Sequence, residues 1–259
     1  MNKYFYKIKI IVKKCSPSFL IKYYRDLNRI WVHKQNRRKS VEEVFTAIYK
    51  NNRWGGKNGE YYSGTGSTRE HIVSPYITMI SEIGEKEGFK EFTFVDLGCG
   101  DFRVGRRLTP HCARYLGIDI VEPLIKRNQT IYGNKTTQFV HLNIVKDDLP
   151  HGDVCFVRQV LQHLSNEQII LVLKKLRIYN WVFITEHYPS DITQITPNVN
   201  KIQGHDIRLL ENSGVYLCLP PFNLPSNSIE EVLEIQSNSA SKTPEEQGVI
   251  KTFLYRPPQ

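Results

Sequence analysis

The sequence predicts an α/β fold: a doubly wound parallel sheet with a helical extension before it and an antiparallel hairpin after it. Three observations predict this. The run Phe92-Thr93-Phe94 leads into Val95-Asp96-Leu97-Gly98-Cys99-Gly100, so an acid and two glycines stand where a strand turns toward a helix. A second run closes on Gly117-Ile118-Asp119-Ile120, which sets Asp119 about twenty residues past the glycines, where an acid meets a ribose diol. Strand-like and helix-like segments then alternate as a sheet with helices on both faces requires.

The chain begins with a basic arm. Residues 1–40 carry twelve Lys or Arg against one acid, Asp26, within a formal net charge of +9 for 259 residues. The charges interleave with Ile8, Ile10, Phe19, Tyr23, Tyr24 and Trp31. Basic, aromatic, amphipathic segments suit an anionic lipid surface or an acidic partner. A solubilising helix packed on its own domain is the alternative. Because the excess charge sits in the arm, a nucleic-acid footprint spread over the whole surface is disfavoured.

Residues 41–90 form a helical extension. Ser40 is placed as a cap, and Val41, Val44, Phe45 and Ile48 share one helical face. A second helix is expected over Thr68 to Glu87, broken or kinked near Pro75. Between them, residues 54–67 hold five glycines together with Trp54, Tyr61, Tyr62 and Ser63. Loops of this length in compact domains are often functional, and this one reads as a lid; a plain interhelical connector is the alternative.

The core follows at 91–259. After the glycine turn and the Asp119 strand come a helix from Glu122 to Tyr132, strands at 138–143, 153–158 and 181–187, and a helix from Ser165 to Leu176 opened by the capping box Ser165-Asn166-Glu167-Gln168. Glu231–Ile235 and Val249–Tyr255 make a terminal hairpin. The connection at 188–224 is long enough to be an acceptor-recognition insert.

In such sheets ligands bind beyond the carboxyl ends of the strands. Strand four ends in Arg158-Gln159, strand five in Glu186-His187, and the insert carries His205-Asp206-Ile207-Arg208. His187 is the first candidate for a general base and Asp206 the second. Glu186 and His187 alternate in direction, so one of them faces the pocket and the other braces a neighbouring segment. An anionic acceptor would need no base, with Arg208 or Arg158 orienting it. His163 lies in an apolar stretch and reads as structural.

Five cysteines without a C-x-x-C pair argue against a disulfide framework and a zinc site, and no carboxylate and histidine cluster has metal-ligand spacing. No apolar run reaches a membrane span, and the first thirty residues lack a signal-peptide pattern, so a cytoplasmic chain, peripheral to a membrane through its arm, is expected.

The order of Asp96, Gly98-Cys99-Gly100-Asp101-Phe102 and Asp119 resembles the class I S-adenosylmethionine (SAM)-dependent methyltransferases, with their Rossmann-like, seven-stranded sheet. Asp101-Phe102 replaces a third close glycine, a poor neighbour for a pyrophosphate and a better one for the cationic methionine end of SAM. The resemblance implies that Asp96 and the Gly98 to Gly100 backbone hold the methionine moiety, Asp119 the ribose, Ile120 an adenine face and Asn143 the adenine amino group. It places Arg158 beside the donor and Trp54 and Gly66 in the lid over it.

The loop Ser63-Gly64-Thr65-Gly66-Ser67 with its upstream Trp54, and the later runs Thr185-Glu186-His187, Asp206-Ile207-Arg208, Ser213-Gly214-Val215-Tyr216 and Pro220-Pro221-Phe222-Asn223, resemble uncharacterised bacterial methyltransferases associated with glycan assembly. That resemblance spans about residues 40–255 and implies O-methylation of a saccharide or glycan intermediate. The alternatives are an RNA or other small-molecule methyltransferase, and an inactive scaffold of the same fold that binds an acidic partner or a membrane. Strand four lacks the Asn/Asp-Pro-Pro-aromatic and Pro-Cys turns of base methylation, and an intact cofactor grip has no use in a scaffold.

Overall fold

The computed structural model describes residues 27, 31–56, 60–64, 68–191, 193, 195–237 and 248–258. The chain forms two compact units, Met1–Ser40 and Val41–Gln259. In the first, residues 31–36 are helical and Trp31 is exposed; most of the arm's amphipathic reading lies outside the described residues. No described helix is long and apolar enough to cross a membrane.

The second unit opens with α1 (Val41–Lys50), whose Val41, Val44, Phe45 and Ile48 are buried along one stripe. Helix α2 (Glu70–Glu87) runs through Pro75 without a break. Proline near a helix start removes one backbone bond, and burial of Ile72, Tyr76 and Ile80 on both sides of it holds the helix together. The remaining elements are β1 (Thr93–Leu97), α3 (Gly105–Leu108), β2 (Arg114–Asp119), α4 (Glu122–Tyr132), β3 (Thr137–His141), β4 (Val154–Arg158), α5 (Asn166–Lys175), β5 (Trp181–Tyr188), β6 (Ile229–Gln236) and β7 (Val249–Tyr255). The helix after the glycine turn is only one turn long and passes into a 3-10 turn at Thr109–His111, which contains Pro110.

These seven strands form one sheet in the order β3-β2-β1-β4-β5-β7-β6. Strands β1 to β5 are parallel, and β7 enters antiparallel between β5 and β6. The order reverses between β1 and β4, the switch point at which an open sheet leaves a crevice.

Alternation along the strands assigns the side chains to two faces. Val95 and Leu97 of β1 and Val157 of β4 join α1 and α5 in one core. Phe94 and Phe156 point the other way, beneath Tyr76 and Ile80 of α2, and Phe156 stacks on Phe183 at 5.5 Å. The same parity carries Asp96 and Arg158 toward α2, and Glu186 toward the opposite face.

Helix α5 starts on the capping box expected for it: Ser165 Oγ accepts from Gln168 N at 3.3 Å, and Gln168 Oε1 accepts from Ser165 N at 2.9 Å. Ser165→Ala should cost about 1 kcal/mol. Thermal unfolding checks this, with an expected fall in Tm of about 2–4 °C.

Candidate functional site

A cleft opens at the switch point, with an empty volume of about 1100 Å³ that includes space open to solvent. Its floor is the turn after β1. Gly98 and Gly100 have φ of 83° and 54°, a region that side chains rarely adopt. Gly98 N and Cys99 N both donate to Ile118 O, at 2.7 and 2.9 Å, and buried Asn128 of α4 donates to Gly100 O at 2.8 Å. The turn is therefore held from β2 and α4.

The missing Cβ atoms serve the protein itself. A Cβ on Gly98 would stand 2.4 Å from Val160 Cγ2, and one on Gly100 would stand 2.5 Å from Ser63 Oγ. The turn after β4 and the glycine-rich loop fill that space. Ser63 is the loop's anchor: its N–H donates to Asp101 Oδ2 at 3.0 Å, its Oγ accepts from Asp101 N at 2.9 Å, and its hydroxyl meets Tyr49 Oη at 2.9 Å. Asp101, which looked like an ill-fitting acid in a glycine turn, is this loop's acceptor. The signal was present in the sequence, but its partner stands 38 residues away.

Two buried carboxylates face the cleft. Asp96 accepts from the Tyr115 hydroxyl, and burial pushes its carboxyl up to about 6 against the pull of that hydroxyl and of Arg158. Asp119 accepts from Gly100 N at 3.1 Å and Val121 N at 3.0 Å, and burial pushes it up to about 6 as well. Among the described residues neither has a lysine or arginine at ion-pair distance.

Ile120, Asn143, Arg158 and Trp54 also line the cleft. Asn143 Oδ1 accepts from Val145 N at 3.0 Å, so it shapes its own turn as well as the wall. Trp54 lies 5.1 Å from Tyr49, 5.2 Å from His163 and 6.0 Å from Phe45, ring centre to ring centre. Gly66 lies outside the described residues.

Of the residues considered for acceptor chemistry, Arg158 lines the cleft, and Glu186, His187, Asp206 and Arg208 do not. Glu186 is fully buried and accepts from Val160 N, Leu161 N and Gln162 N at 3.1, 2.8 and 3.2 Å. Burial raises its carboxyl to about 8 despite those donors and Arg208. His187 is buried on β5 opposite Ile250 of β7, beside Gly248, and desolvation lowers its imidazole to about 4. Arg208 donates to Val199 O and to Leu164 O, the latter at 2.8 Å, and so ties the insert to the start of α5. Asp206 Oδ1 is 3.2 Å from His205 Nε2 within the insert. The expectation that one of Glu186 and His187 faces the pocket is not met: parity turns Glu186 to the backbone of 160–162, and His187 is buried on the other face, beside Gly248 and away from the cleft lining.

His163 does line the cleft. Its Nδ1 is 3.1 Å from Gly204 O, and burial lowers its imidazole to about 3.

Residues 95–179 match the family model described as methyltransferase domain. The match takes in the glycine turn, Asp119, Asn143 and the turn after β4. Uncharacterised methyltransferases of Mycobacterium tuberculosis and Mycobacterium bovis are 28% identical over 79 residues, 30% of this chain and 40% of theirs; the match thus spans less than half of those relatives' length. The magnesium protoporphyrin IX methyltransferase ChlM of Synechocystis PCC 6803, solved with S-adenosylhomocysteine (SAH), superposes with a TM-score of 0.51 at 12% identity, over 84% of this chain and all of that one. The N-methyltransferase NodS of Bradyrhizobium japonicum, also with SAH, gives 0.50 at 14% identity, over 72% of this chain and 88% of that one. These structures share the fold. The sheet has the fold of the class I methyltransferases, and residues 95–179 match a methyltransferase domain, a class whose methyl donor is SAM.

The residues present fit that donor. Two buried carboxylates without basic partners suit a ligand with an ammonium and a sulfonium, and Asp119 stands at the end of β2 where a ribose is gripped.

Two outcomes follow. Carboxyls raised from 3.8 to about 6 make the folded protein bind more protons than the unfolded one between those values. Apo stability therefore falls as pH rises through that window. A cationic ligand needs the ionised forms, so SAM affinity should fall at least about tenfold between pH 7.5 and pH 5, read by calorimetric titration. Gly98→Ala, with its Cβ driven against Val160, should destabilise the chain by about 1–3 kcal/mol in urea unfolding and weaken SAH binding.

Proposed function

We propose that this protein is a SAM-dependent methyltransferase that O-methylates a saccharide-class acceptor. The observation that carries the methyltransferase reading is the pair Asp96 and Asp119, buried on either side of the glycine turn, with no lysine or arginine at ion-pair distance among the described residues. The wall of Trp54, Tyr49 and Phe45 supports the acceptor class, because aromatic faces beside polar groups pack against the C–H faces of sugar rings. The likeness of the insert to glycan-associated methyltransferases points the same way. The composition of residues 1–40 supports work at an anionic membrane surface on its cytoplasmic side.

SAM, when bound, supplies an already activated methyl group, so the protein's main task is alignment. Asp96 and Asp119 offset the donor's positive charge and hold its two ends. The Ser63–Asp101 pair fastens the loop over the turn, and Trp54 and Tyr49 line the cleft above it.

Calorimetric titration of SAM and SAH tests the donor site. Gly100 N and Val121 N meet different oxygens of Asp119, so Asp119→Asn removes the charge and keeps an acceptor for only one of them; it should weaken binding about tenfold or more together with a measurable fall in Tm, and folded protein is checked by that Tm. Folded wild-type protein that binds neither ligand would sink the methyltransferase reading. Methyl transfer from labelled SAM to nucleotide sugars and lipid-linked glycans, with tRNA alongside, tests the acceptor class; label appearing in the RNA alone would refute the saccharide reading.

A further inference from the structure

The end of β4 carries hydrogen-bond donors that the fold leaves unused. Arg158 Nε and Nη2 and Gln159 Nε2 are buried and have no hydrogen-bond partner. Arg158 lies over the Tyr76 ring, 5.2 Å from its centre, which fixes the guanidinium plane. Gln159 has a φ of 55°, and its own N–H donates to Thr185 O at 2.6 Å. Glu186 clamps the next three N–H groups. A left-handed glutamine held from both sides, with its amide in the cleft, is the kind of strained residue that collects at ligand sites.

Arg158 is the only lysine or arginine among the described residues lining the cleft. Its charge acts on Asp96, but the strand register sets it beyond that end of the donor grip. Asp96 pairs with Phe156, so Arg158 stands two residues farther along β4, beside Thr185 of β5, whereas Asp96, Gly100 and Asp119 belong to the β1 and β2 side.

Among the described residues, the cleft lacks a suitable group to take a hydroxyl proton. His163 is engaged by Gly204 O and is far too weak a base near neutral pH. Burial holds the Tyr49 and Tyr76 phenols above their ordinary range. Asp96 and Asp119 are committed to Tyr115, Gly100 and Val121. An acceptor oxygen that is already ionised needs no base, and a planar oxyanion matches a guanidinium fork with an amide donor beside it.

We infer that Arg158 and Gln159 form a binding corner for a carboxylate of the acceptor, and that the oxygen methylated is a carboxylate oxygen. The inference rests on the methyltransferase reading above and makes the acceptor an acidic saccharide. The carboxylate oxygen contributes the electron pair of the new C–O bond, the sulfur keeps the pair of the broken C–S bond, and no proton moves. The products are a neutral methyl ester and SAH.

The test uses the full chain saturated with SAH, titrated with D-glucuronate and with D-glucose by saturation-transfer NMR, for wild type, Arg158→Gln, Arg158→Lys and Gln159→Ala, with Tm as the check on folding. Saturable glucuronate binding should be at least about tenfold tighter than glucose binding; Arg158→Gln should abolish that preference while SAH affinity stays within about threefold, and Arg158→Lys should retain part of it. Equal binding of the two sugars by SAH-loaded wild type overturns the inference. So does a loss of SAH rather than glucuronate affinity in the arginine variants, because the guanidinium would then serve the donor's own carboxylate. Labelled product made with SAM gives a second readout: a methyl group released as methanol by mild alkali supports the ester, and an alkali-stable methyl overturns it. Failure of wild type to bind SAH strikes the methyltransferase reading instead, so the two failures are distinct.

Discussion

Three backbone N–H groups in the turn after β4 depend on one carboxylate. Glu186, completely buried, accepts from Val160, Leu161 and Gln162. Each such hydrogen bond contributes about 0.5–1.5 kcal/mol net, and its loss inside a protein leaves a donor that nothing else satisfies. Much follows from this clamp. It fixes Val160, whose methyl groups occupy the space that a Cβ on Gly98 would need. It holds Gln159 in its left-handed conformation, and it presents Arg158 and Gln159 to the crevice. The end of β5 thus sets the shape of the donor turn after β1, although the two strands are not neighbours in the sheet.

The second coupling runs through Gly100. Ser63 packs where a Cβ would be and exchanges two hydrogen bonds with the backbone and carboxylate of Asp101. Tyr49 of α1 completes the contact through Ser63. Residues 41–90 are consequently part of the donor site's construction, which agrees with their place in one compact unit with the sheet. A glycine turn built in this way is sensitive to the loop above it. Any shift of Ser63 is felt at Asp101 N and, through Asn128 and Asp119, at both hydrogen-bonding groups of Gly100.

What was legible in the sequence was what strand ends dictate. Parallel strands deliver their last residues to one edge, so Asp96, Gly98, Gly100, Asp119, Ile120, Asn143 and Arg158 reach the cleft because of where the strands stop. Trp54 was found through the composition of its loop. The misread residues depend on contacts that spacing does not encode. Whether Glu186 or His187 faces a pocket depends on what packs against each face of β5; the 160–162 backbone meets Glu186, and the chain at Gly248 packs against the His187 ring. Arg208 looked catalytic because arginine in a loop after a strand often binds anions, yet its guanidinium caps the carbonyls of Leu164 and Val199. Tyr115 and Asn128 carried no motif at all. They matter because β2 and α4 fold back on the turn, a consequence of tertiary structure.

The distribution of charge in the cleft limits what it can bind. The β1–β2 side offers carboxylates, and the β4 side offers a guanidinium and an amide without partners. A single cation such as SAM satisfies the first side; the unused donors on the second call for oxygen acceptors. Were Arg158 simply the counter-ion of Asp96, the two would be expected at hydrogen-bonding distance. Instead Asp96 accepts from Tyr115 and Arg158 lies over Tyr76. Aromatic hydroxyls and rings thus keep the opposite charges apart. Collapse of that pair would neutralise the cleft and remove its selectivity, so the cost of holding two opposite charges apart in a desolvated space is the physical condition for recognising two ligands of opposite charge side by side.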